Sequence, residues 1–404
     1  MQKEFERQWK LISRGAVELL PEDEFAERLK TSIKDNKPLR VKQGFDPTAP
    51  DIHLGHTVGI RKLRQFQDLG HKIVLIVGDY TALVGDPSGR SATRPQLSYD
   101  QIMTNAETYQ KQFFKILDKS QTEIHHNGEW FAKMSFQEVL QLAAKFTVAR
   151  ILERDDFDKR FKLGNPISIH ELLYPLMQAY DSVAIKADVE IGATEQKFNL
   201  LTGREIQQDY NIPPQVVLTL PILVGLDGHQ RMSKSIGNYI GIDEPPGEIF
   251  GKVMSIPDSL IYSYYELATE VSDDNLAAIK AQLENDSVNP MDIKKDLAAE
   301  LVRMYYNSDE ADRARAEFTR VFSEHEIPEN LPEFDCSAYG DEVWIVQLLT
   351  DSKLATSRGE ARRLIRGGGV YIDGEKISDE NSQVELKNNL LVKVGKRRFV
   401  KLTR

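Results

Sequence analysis

The sequence predicts an α/β fold: a doubly wound, Rossmann-like parallel-sheet domain, then a helical domain, then a small α+β domain. Three observations carry this. Lys72-Ile73-Val74-Leu75-Ile76-Val77-Gly78 is a nearly unbroken apolar run, the pattern of a strand buried on both faces of a parallel sheet. Strand-like and helix-like segments alternate as far as Ile242, which is the order a doubly wound sheet requires. From residue 343 to the end there are 13 Lys/Arg and 7 Asp/Glu, a net of +6, while the whole chain carries −10. A small basic module therefore follows an acidic body.

The elements follow in order. Residues 39–45 read as a strand and 55–69 as a helix, on which Ile60, Leu63 and Phe66 share a face. Gly70 is placed to end that helix. After the apolar strand comes the polar loop Gly85-Asp86-Pro87-Ser88-Gly89-Arg90. A helix is predicted over 99–117, a strand over 122–126, and helices over 136–146 and 171–187. Residues 188–191 and 215–220 read as further strands. In such a sheet, ligands bind beyond the carboxyl ends of the strands. Past Ile242 the strand signal fades, and 255–322 reads as several helices. Residues 323–342 are acidic and contain Pro328, Pro332 and Gly340, which predicts a connector. The last module opens with a helix over 343–349. A second helix from Thr356 carries Arg362, Arg363 and Arg366 and is stopped by Gly367-Gly368-Gly369. Residues 370–377 form a hairpin about Asp373-Gly374. The expected divisions are 1–245, 246–325, 326–342 and 343–404.

Composition excludes several classes. A chain of 404 residues has room for roughly two to four domains. Cys336 is the single cysteine, so no intrachain disulfide framework exists, which fits a reducing compartment. Residues 1–10 are charged and lack an apolar signal segment. No apolar run is long enough to span a bilayer, so a cytoplasmic protein with no membrane partner is expected. The negative total charge argues against a general nucleic-acid binder. A lone charge run is usually solvated surface, but the helix–helix–hairpin pattern gives the basic tail the form of a folded module.

Two separated motifs can carry chemistry. His53-Leu54-Gly55-His56 lies where a strand runs into a helix. Gly55 lets a flat ring or a phosphate approach the backbone, the helix N-terminus favours anions, and the imidazoles can donate to phosphate oxygens. The competing reading is two histidines packed at a helix start. As metal ligands they lack a Cys or Glu at matching spacing, and His170-Glu171 does not extend to a zinc helix, so no metal site is expected. The second motif, Arg231-Met232-Ser233-Lys234-Ser235, follows Gly225-Leu226-Asp227-Gly228. A mobile loop carrying Lys234 can close over a pyrophosphate and neutralise its charge; a random basic loop would be solvated surface. Neither common glycine-rich nucleotide signature is present.

A third signal lies on the helix from residue 171. Ser168 and Glu171 form a capping-box pattern. Tyr174, Gln178 and Asp181 fall on one face, and Pro175 predicts a kink in the first turns. A polar stripe usually faces solvent. Here apolar neighbours such as Met177, Tyr180 and Val183 leave little of the helix plainly exposed. A buried phenol, amide and carboxylate would bind a small polar ligand, with the Asp accepting from a hydroxyl.

On these residues the chain resembles the bacterial tyrosyl-tRNA synthetases, a family of class I aminoacyl-tRNA synthetases. His53 to His56 and Arg231 to Ser235 resemble the two family signatures. The segment from Tyr174 to Asp181 is similar to the tyrosine-pocket helix, and the basic tail resembles the S-four RNA-binding domain. The resemblance implies ATP-dependent attachment of L-tyrosine to tRNA(Tyr), with ATP used as its Mg2+ complex, by a homodimer. It implies that Asp181 contacts the substrate hydroxyl, that Tyr174, Gln178 and Asp86 hold the α-amino group with Thr81 close by, and that Gln196 and Asn127 support the pocket. Asp46, Thr48, His53 and His56 would face ATP, with Gly55, Glu195, Met232, Ser233 and Ser235 beside it. Arg90, Arg94, Arg231 and Lys234 would stabilise the leaving pyrophosphate. The chain departs from better-known members at four places. Lys42 replaces a tyrosine that touches the substrate hydroxyl, Gln43 replaces a small residue beside the ribose, and Ala193 and Glu195 replace Gly and Asp. These point to the second bacterial subgroup. The tryptophan enzymes, a non-catalytic RNA-binding protein and an RNA-modifying enzyme are the rival readings. Asp181 with the basic tail weighs against the first, and the two intact signatures weigh against the others.

Overall fold

The computed structural model describes residues 1–48, 51–88, 97–285, 288–322, 331–395 and 398–404. They divide into two compact units, Met1–Asn307 and Ser308–Arg404.

The first unit is built on six strands: β1 (Glu18–Leu20), β2 (Arg40–Phe45), β3 (Lys72–Val77), β4 (Thr122–His126), β5 (Val189–Ala193) and β6 (Val216–Leu220), in the order β1-β6-β5-β2-β3-β4. All neighbours are parallel except β1 and β6. From β2 the chain builds outward through β3 and β4, then crosses to the other side for β5 and β6. The switch point therefore lies between β2 and β5, and a crevice opens at their carboxyl ends. The apolar run over β3 explains its central place: Ile73 to Val77 are at most 1% exposed. β1 is a short antiparallel edge strand, a form that limits unwanted pairing.

Most predicted elements are present, with shifted bounds. The first crossover helix spans Leu54–Asp68 and buries Ile60, Leu63 and Phe66 completely. Gly70 follows at φ +88°. The next long helix stops at Phe113 rather than at 117. There Leu117 bonds back to Phe113, and Asp118 caps a 3-10 turn over Lys119–Gln121, which aims the chain into β4. The helix expected over 171–187 is a 3-10 turn, Ile169–Leu173, followed by an α-helix, Tyr174–Ile185. Pro175 lies in the first turn of that α-helix, where its missing N–H is no loss, so it starts the helix instead of kinking it. The capping box of Ser168 and Glu171 is formed.

Two N-terminal helices, Gln2–Ser13 and Glu22–Asp35, precede β2. After β6 come helices at Pro246–Met254, Ile261–Ala268, Asp273–Leu283 and Pro290–Tyr305. They pack onto the sheet domain. Ile261–Ala268 lies against the Leu54–Asp68 helix, Tyr264 Oη donates to the Val224 carbonyl at 2.7 Å, and Tyr305 Oη meets Thr57 Oγ1 at 3.3 Å.

Among the described residues the second unit holds three helices, Ser308–Phe322, Ile345–Asp351 and Arg358–Arg366, and seven strands: β7 (Glu333–Asp335), β8 (Glu342–Trp344), β9 (Val370–Ile372), β10 (Glu375–Ile377), β11 (Gln383–Glu385), β12 (Leu391–Val394) and β13 (Arg398–Thr403). Five form a sheet in the order β10-β9-β12-β13-β7, and β11 pairs with β8. The segment expected to be a connector thus supplies a strand, since β7 runs parallel to β13; residues 323–330 lie outside the described residues. The helix expected from 343 starts at Ile345 because 342–344 pair as β8. Asp373 and Gly374 both take positive φ, +45° and +87°, the geometry of a tight two-residue hairpin turn. Ile345, Leu348, Ile365, Val392 and Leu402 are fully buried in this unit's core.

The Tyr174–Ile185 helix is anchored at its start by a buried ion pair. Arg160 and Glu171, 2% and 3% exposed, meet at 2.7 and 3.0 Å, and Glu171 also accepts from the Ser168 N–H at 2.9 Å. Arg160→Met would leave Glu171 buried without its cation. We expect a loss of about 3–5 kcal/mol, read as a lower urea midpoint at unchanged slope.

Candidate active site

A cleft of about 420 Å3 lies at the carboxyl ends of β2, β3 and β5. Both sequence motifs and the polar stripe of the Tyr174–Ile185 helix line it. It is the crevice that the switch point predicts.

One wall is the His53–His56 turn. The two residues cap the helix they begin: His53 Nδ1 accepts from the Gly55 N–H at 3.1 Å, and His56 Nδ1 accepts from the His53 N–H at 3.3 Å. Their rings stack at 3.8 Å between centroids. With each Nδ1 an acceptor, the neutral ring carries its proton on Nε2. Enclosure in the protein lowers the pKa of His53 to about 2, helped by His56, Lys234 and Arg231; it lowers His56 to about 4, helped by Lys234. The pair is therefore two neutral N–H donors fixed at a helix N-terminus. A Cβ on Gly55 would lie 3.0 Å from the His53 ring and 3.4 Å from the Met232 Cβ, so a side chain there would crowd both motifs.

The basic loop lies beside this turn. Asn238 braces it: its amide donates to Asp227 at 2.8 Å and to the Arg231 carbonyl at 3.1 Å, and its Oδ1 accepts from the Ser233 N–H at 2.8 Å. Met232 is buried. Arg231 donates from one guanidinium nitrogen to both Glu195 carboxylate oxygens, at 2.8 and 2.7 Å, and Lys234 pairs with Asp51 at 2.9 Å. Ser233 and Ser235 join their hydroxyls at 3.0 Å. Gln43 also lines the cleft, and its carboxamide oxygen is buried with no partner among the described residues. Arg90 and Arg94, which sequence reasoning placed here, lie outside the described residues.

The rest of the lining is a cluster of polar side chains about the Tyr174–Ile185 helix. Asp46, placed with ATP by the family resemblance, accepts from Thr81 Oγ1 at 2.7 Å and from Tyr174 Oη at 2.9 Å, which puts its carboxylate among the residues assigned to the amino acid. A Cβ on Gly78 would fall 2.2 Å from both Asp46 and Thr81, so this contact needs glycine there. Burial, with Asp46 nearby, keeps the Tyr174 phenol protonated well above its usual range. Thr48 lines the cleft, with its N–H on the Asp46 carbonyl at 2.7 Å. Asp86 accepts from Gln196 at 2.7 Å, from the Ser88 N–H at 2.9 Å and from Arg154 at 3.4 Å. Gln178 is held by Asn199 at 3.0 Å and Glu190 at 3.2 Å. Asp181 accepts from Trp130 Nε1 at 3.0 Å and Asn127 Nδ2 at 3.3 Å. Burial raises its pKa to about 7 against the pull of Lys42.

Two residues sit deeper than the sequence suggested. Asn127 is fully buried behind the pocket and reaches Thr81 as well as Asp181. Lys42 is fully buried and points under the Tyr174–Ile185 helix rather than into the cleft. Sequence reasoning missed Arg154, Asn199, Trp130 and Glu190. Asn199 lies three residues after Gln196, a helical spacing that could have found it. The others belong to no local pattern.

The fold and cleft define a class. Residues 34–323 match the family described as tRNA synthetases class I (W and Y), and residues 343–389 match the S4 domain. The chain belongs to this class I family. The tyrosine–tRNA ligase of Moorella thermoacetica is 52% identical over 402 residues, covering 100% of this chain and 97% of its own length. That of Dehalococcoides mccartyi is 53% identical over 391 residues, covering 97% of both. Among solved structures, the tyrosyl-tRNA synthetase of Archaeoglobus fulgidus complexed with L-tyrosine superposes with a TM-score of 0.62 at 24% identity, over 77% of this chain and 99% of that one. The C-terminally truncated mitochondrial enzyme of Aspergillus nidulans gives 0.64 at 21%, over 80% and 100%. These two likenesses show the shared fold.

The histidine geometry sets a test. Neither His53 nor His56 should titrate between about pH 5.5 and 8, where a free imidazole changes charge. Their Cε1 proton shifts in NMR should stay flat across that range, while exposed histidines move.

Proposed function

We propose that the chain attaches tyrosine to tRNA(Tyr) in two steps. The tyrosine carboxylate attacks the α-phosphate of ATP, giving tyrosyl-adenylate and pyrophosphate. A ribose hydroxyl of the tRNA's terminal adenosine then takes the tyrosyl group. The observation that carries this reading is the buried Asp181 carboxylate, held by Asn127 and Trp130 in the cleft lining. Tyr174 precedes it by seven residues on the same helix, about 10 Å along the axis. That span separates an amino-group end, with Tyr174, Asp86 and Gln178, from a hydroxyl end. A substrate lacking the hydroxyl would leave the buried carboxylate one donor short, at a cost of about 1–3 kcal/mol.

The first step needs alignment and charge stabilisation, not an enzyme nucleophile. In this reading the His53 and His56 Nε2–H groups donate to phosphate oxygens. Arg231 and Lys234 exchange Glu195 and Asp51 for the departing pyrophosphate. Magnesium enters with the triphosphate, its usual partner. Among the described residues no group of three or more His, Cys, Asp or Glu is placed to hold a metal.

The remaining assignments extend the same reading. Residues 1–245 form the catalytic domain and 246–325 meet the anticodon, while the S4 domain over 343–404 takes in β7 from the segment before it. Arg358, Arg362 and Arg363 are exposed on one helix, suited to tRNA phosphates read by shape. No helix among the described residues is long and apolar enough to cross a membrane, which agrees with a cytoplasmic enzyme. A homodimer is supported by apolar side chains left exposed over 136–169: Phe136, Leu140, Val148, Phe161, Leu163 and Ile169 are 77, 54, 58, 66, 75 and 82% exposed. Such a concentration marks an interaction surface.

Pyrophosphate–ATP exchange with each of the twenty amino acids, without tRNA, tests the activity. Exchange with tyrosine alone is expected, and exchange with another amino acid would refute the pocket assignment. In the same assay Lys234→Ala should lower kcat about a hundredfold with little change in tyrosine KM. Phe161→Asp should shift the sedimentation coefficient from dimer to monomer; an unaltered coefficient would remove 136–169 from the interface.

A further inference from the structure

Lys42 has no exposed surface and does not reach the cleft. Sheet register places it beside Glu190, on β2 and β5, and the two side chains pair at 3.0 Å with 0 and 1% exposure. The other ammonium donors go to the Tyr174–Ile185 helix: Nζ lies 2.9 Å from the Gln178 carbonyl and 2.8 Å from Ser182 Oγ. Glu190 in turn accepts from the Gln178 amide at 3.2 Å, from Ser182 at 3.1 Å and from Gln215. An ammonium has three protons to donate, and all three have partners here. The pair thus binds the helix turn between Gln178 and Ser182, which contains Asp181, to the centre of the sheet.

We propose that Lys42 is a positioning residue for recognition of the substrate's phenolic hydroxyl, fixing the helix turn that presents Asp181 and supporting its carboxylate by charge. This rests on the tyrosine-activating reading above. Four groups act on Asp181 from three places. Trp130 and Asn127 donate to it from beyond β4, Lys42 attracts its charge from β2, and Glu190 opposes it more weakly from β5. Burial works against ionisation, and Lys42 is the largest opposing influence. An ionised acceptor makes a stronger hydrogen bond to a hydroxyl than a neutral one. In this chain the residue at position 42 therefore acts on the hydroxyl through Asp181, from behind the pocket.

The test is tyrosine KM in pyrophosphate exchange as a function of pH, with phenylalanine as the competing substrate. Lys42→Met alone strands Glu190 and risks misfolding, so the double variant Lys42→Met/Glu190→Gln, which neutralises both members of the buried pair, carries the measurement. At neutral pH its tyrosine KM should rise about tenfold with a much smaller change in kcat. The pH below which KM climbs should move upward, and the preference for tyrosine over phenylalanine should narrow. A double variant with the wild-type pH profile and preference would overturn the inference and leave Lys42 a structural brace. Failure of the wild-type enzyme to exchange with tyrosine would instead overturn the functional reading itself.

Discussion

The cleft depends on the pairing of β2 with β5, where Val41 faces Val189 and Lys42 faces Glu190. From the carboxyl end of β2 the chain runs through Asp46 and Thr48 to the histidine turn. From the end of β5 it runs to Glu195 and Gln196. The two sides of the site are thus two continuations of one strand pair. A slip of one residue would turn every side chain on β5 to the wrong face and bring Val189 or Ile191 against a buried ammonium. A buried pair is a poor source of net stability, but it makes alternative registers costly, because each leaves a charge stranded.

Charges at the mouth of the cleft follow a different rule. The Arg231–Glu195 and Lys234–Asp51 pairs keep side-chain exposures of 35 and 30%, and of 18 and 47%. Ion pairs this wet contribute little to stability. Under the proposed function they would hold the cations near the place where a triphosphate arrives, yet be exchanged at small cost. The deep pairs, Lys42–Glu190 and Arg160–Glu171, are the reverse: dry and held by short hydrogen bonds. Under the proposed function, the gradient from loose to fixed charge would run from the phosphate side to the amino-acid side.

The parts of this arrangement legible in the sequence were those with a local pattern. β3 declared itself because burial on both faces leaves no polar residue between Ile73 and Val77. The histidine turn, the capping box at Ser168 and the Tyr174–Gln178–Asp181 face were readable because their members lie within one or two helical turns of each other. What was not readable depends on distant partners. Lys42 has the same sequence appearance whether it points into the cleft or under a helix, and only Glu190, 148 residues later, decides. β1 and β7 are three-residue strands defined by the neighbours they pair with. The helix end at Phe113 is set by where β4 must begin. Arg154 reaches Asp86, Ser88 and Asn199, none of which is near it in sequence.

The two stacked histidines and the Asp181 carboxylate respond differently to acid. Enclosure has moved both imidazoles far from neutrality on the pH scale, whereas it has brought the carboxylate to it. Under the proposed function, mild acidification leaves the phosphate donors untouched while the hydroxyl acceptor gains a proton. The capacity to tell one aromatic amino acid from another would then decline before the capacity to activate either. On that function, fidelity rather than turnover would be the property more exposed to the pH of the surroundings.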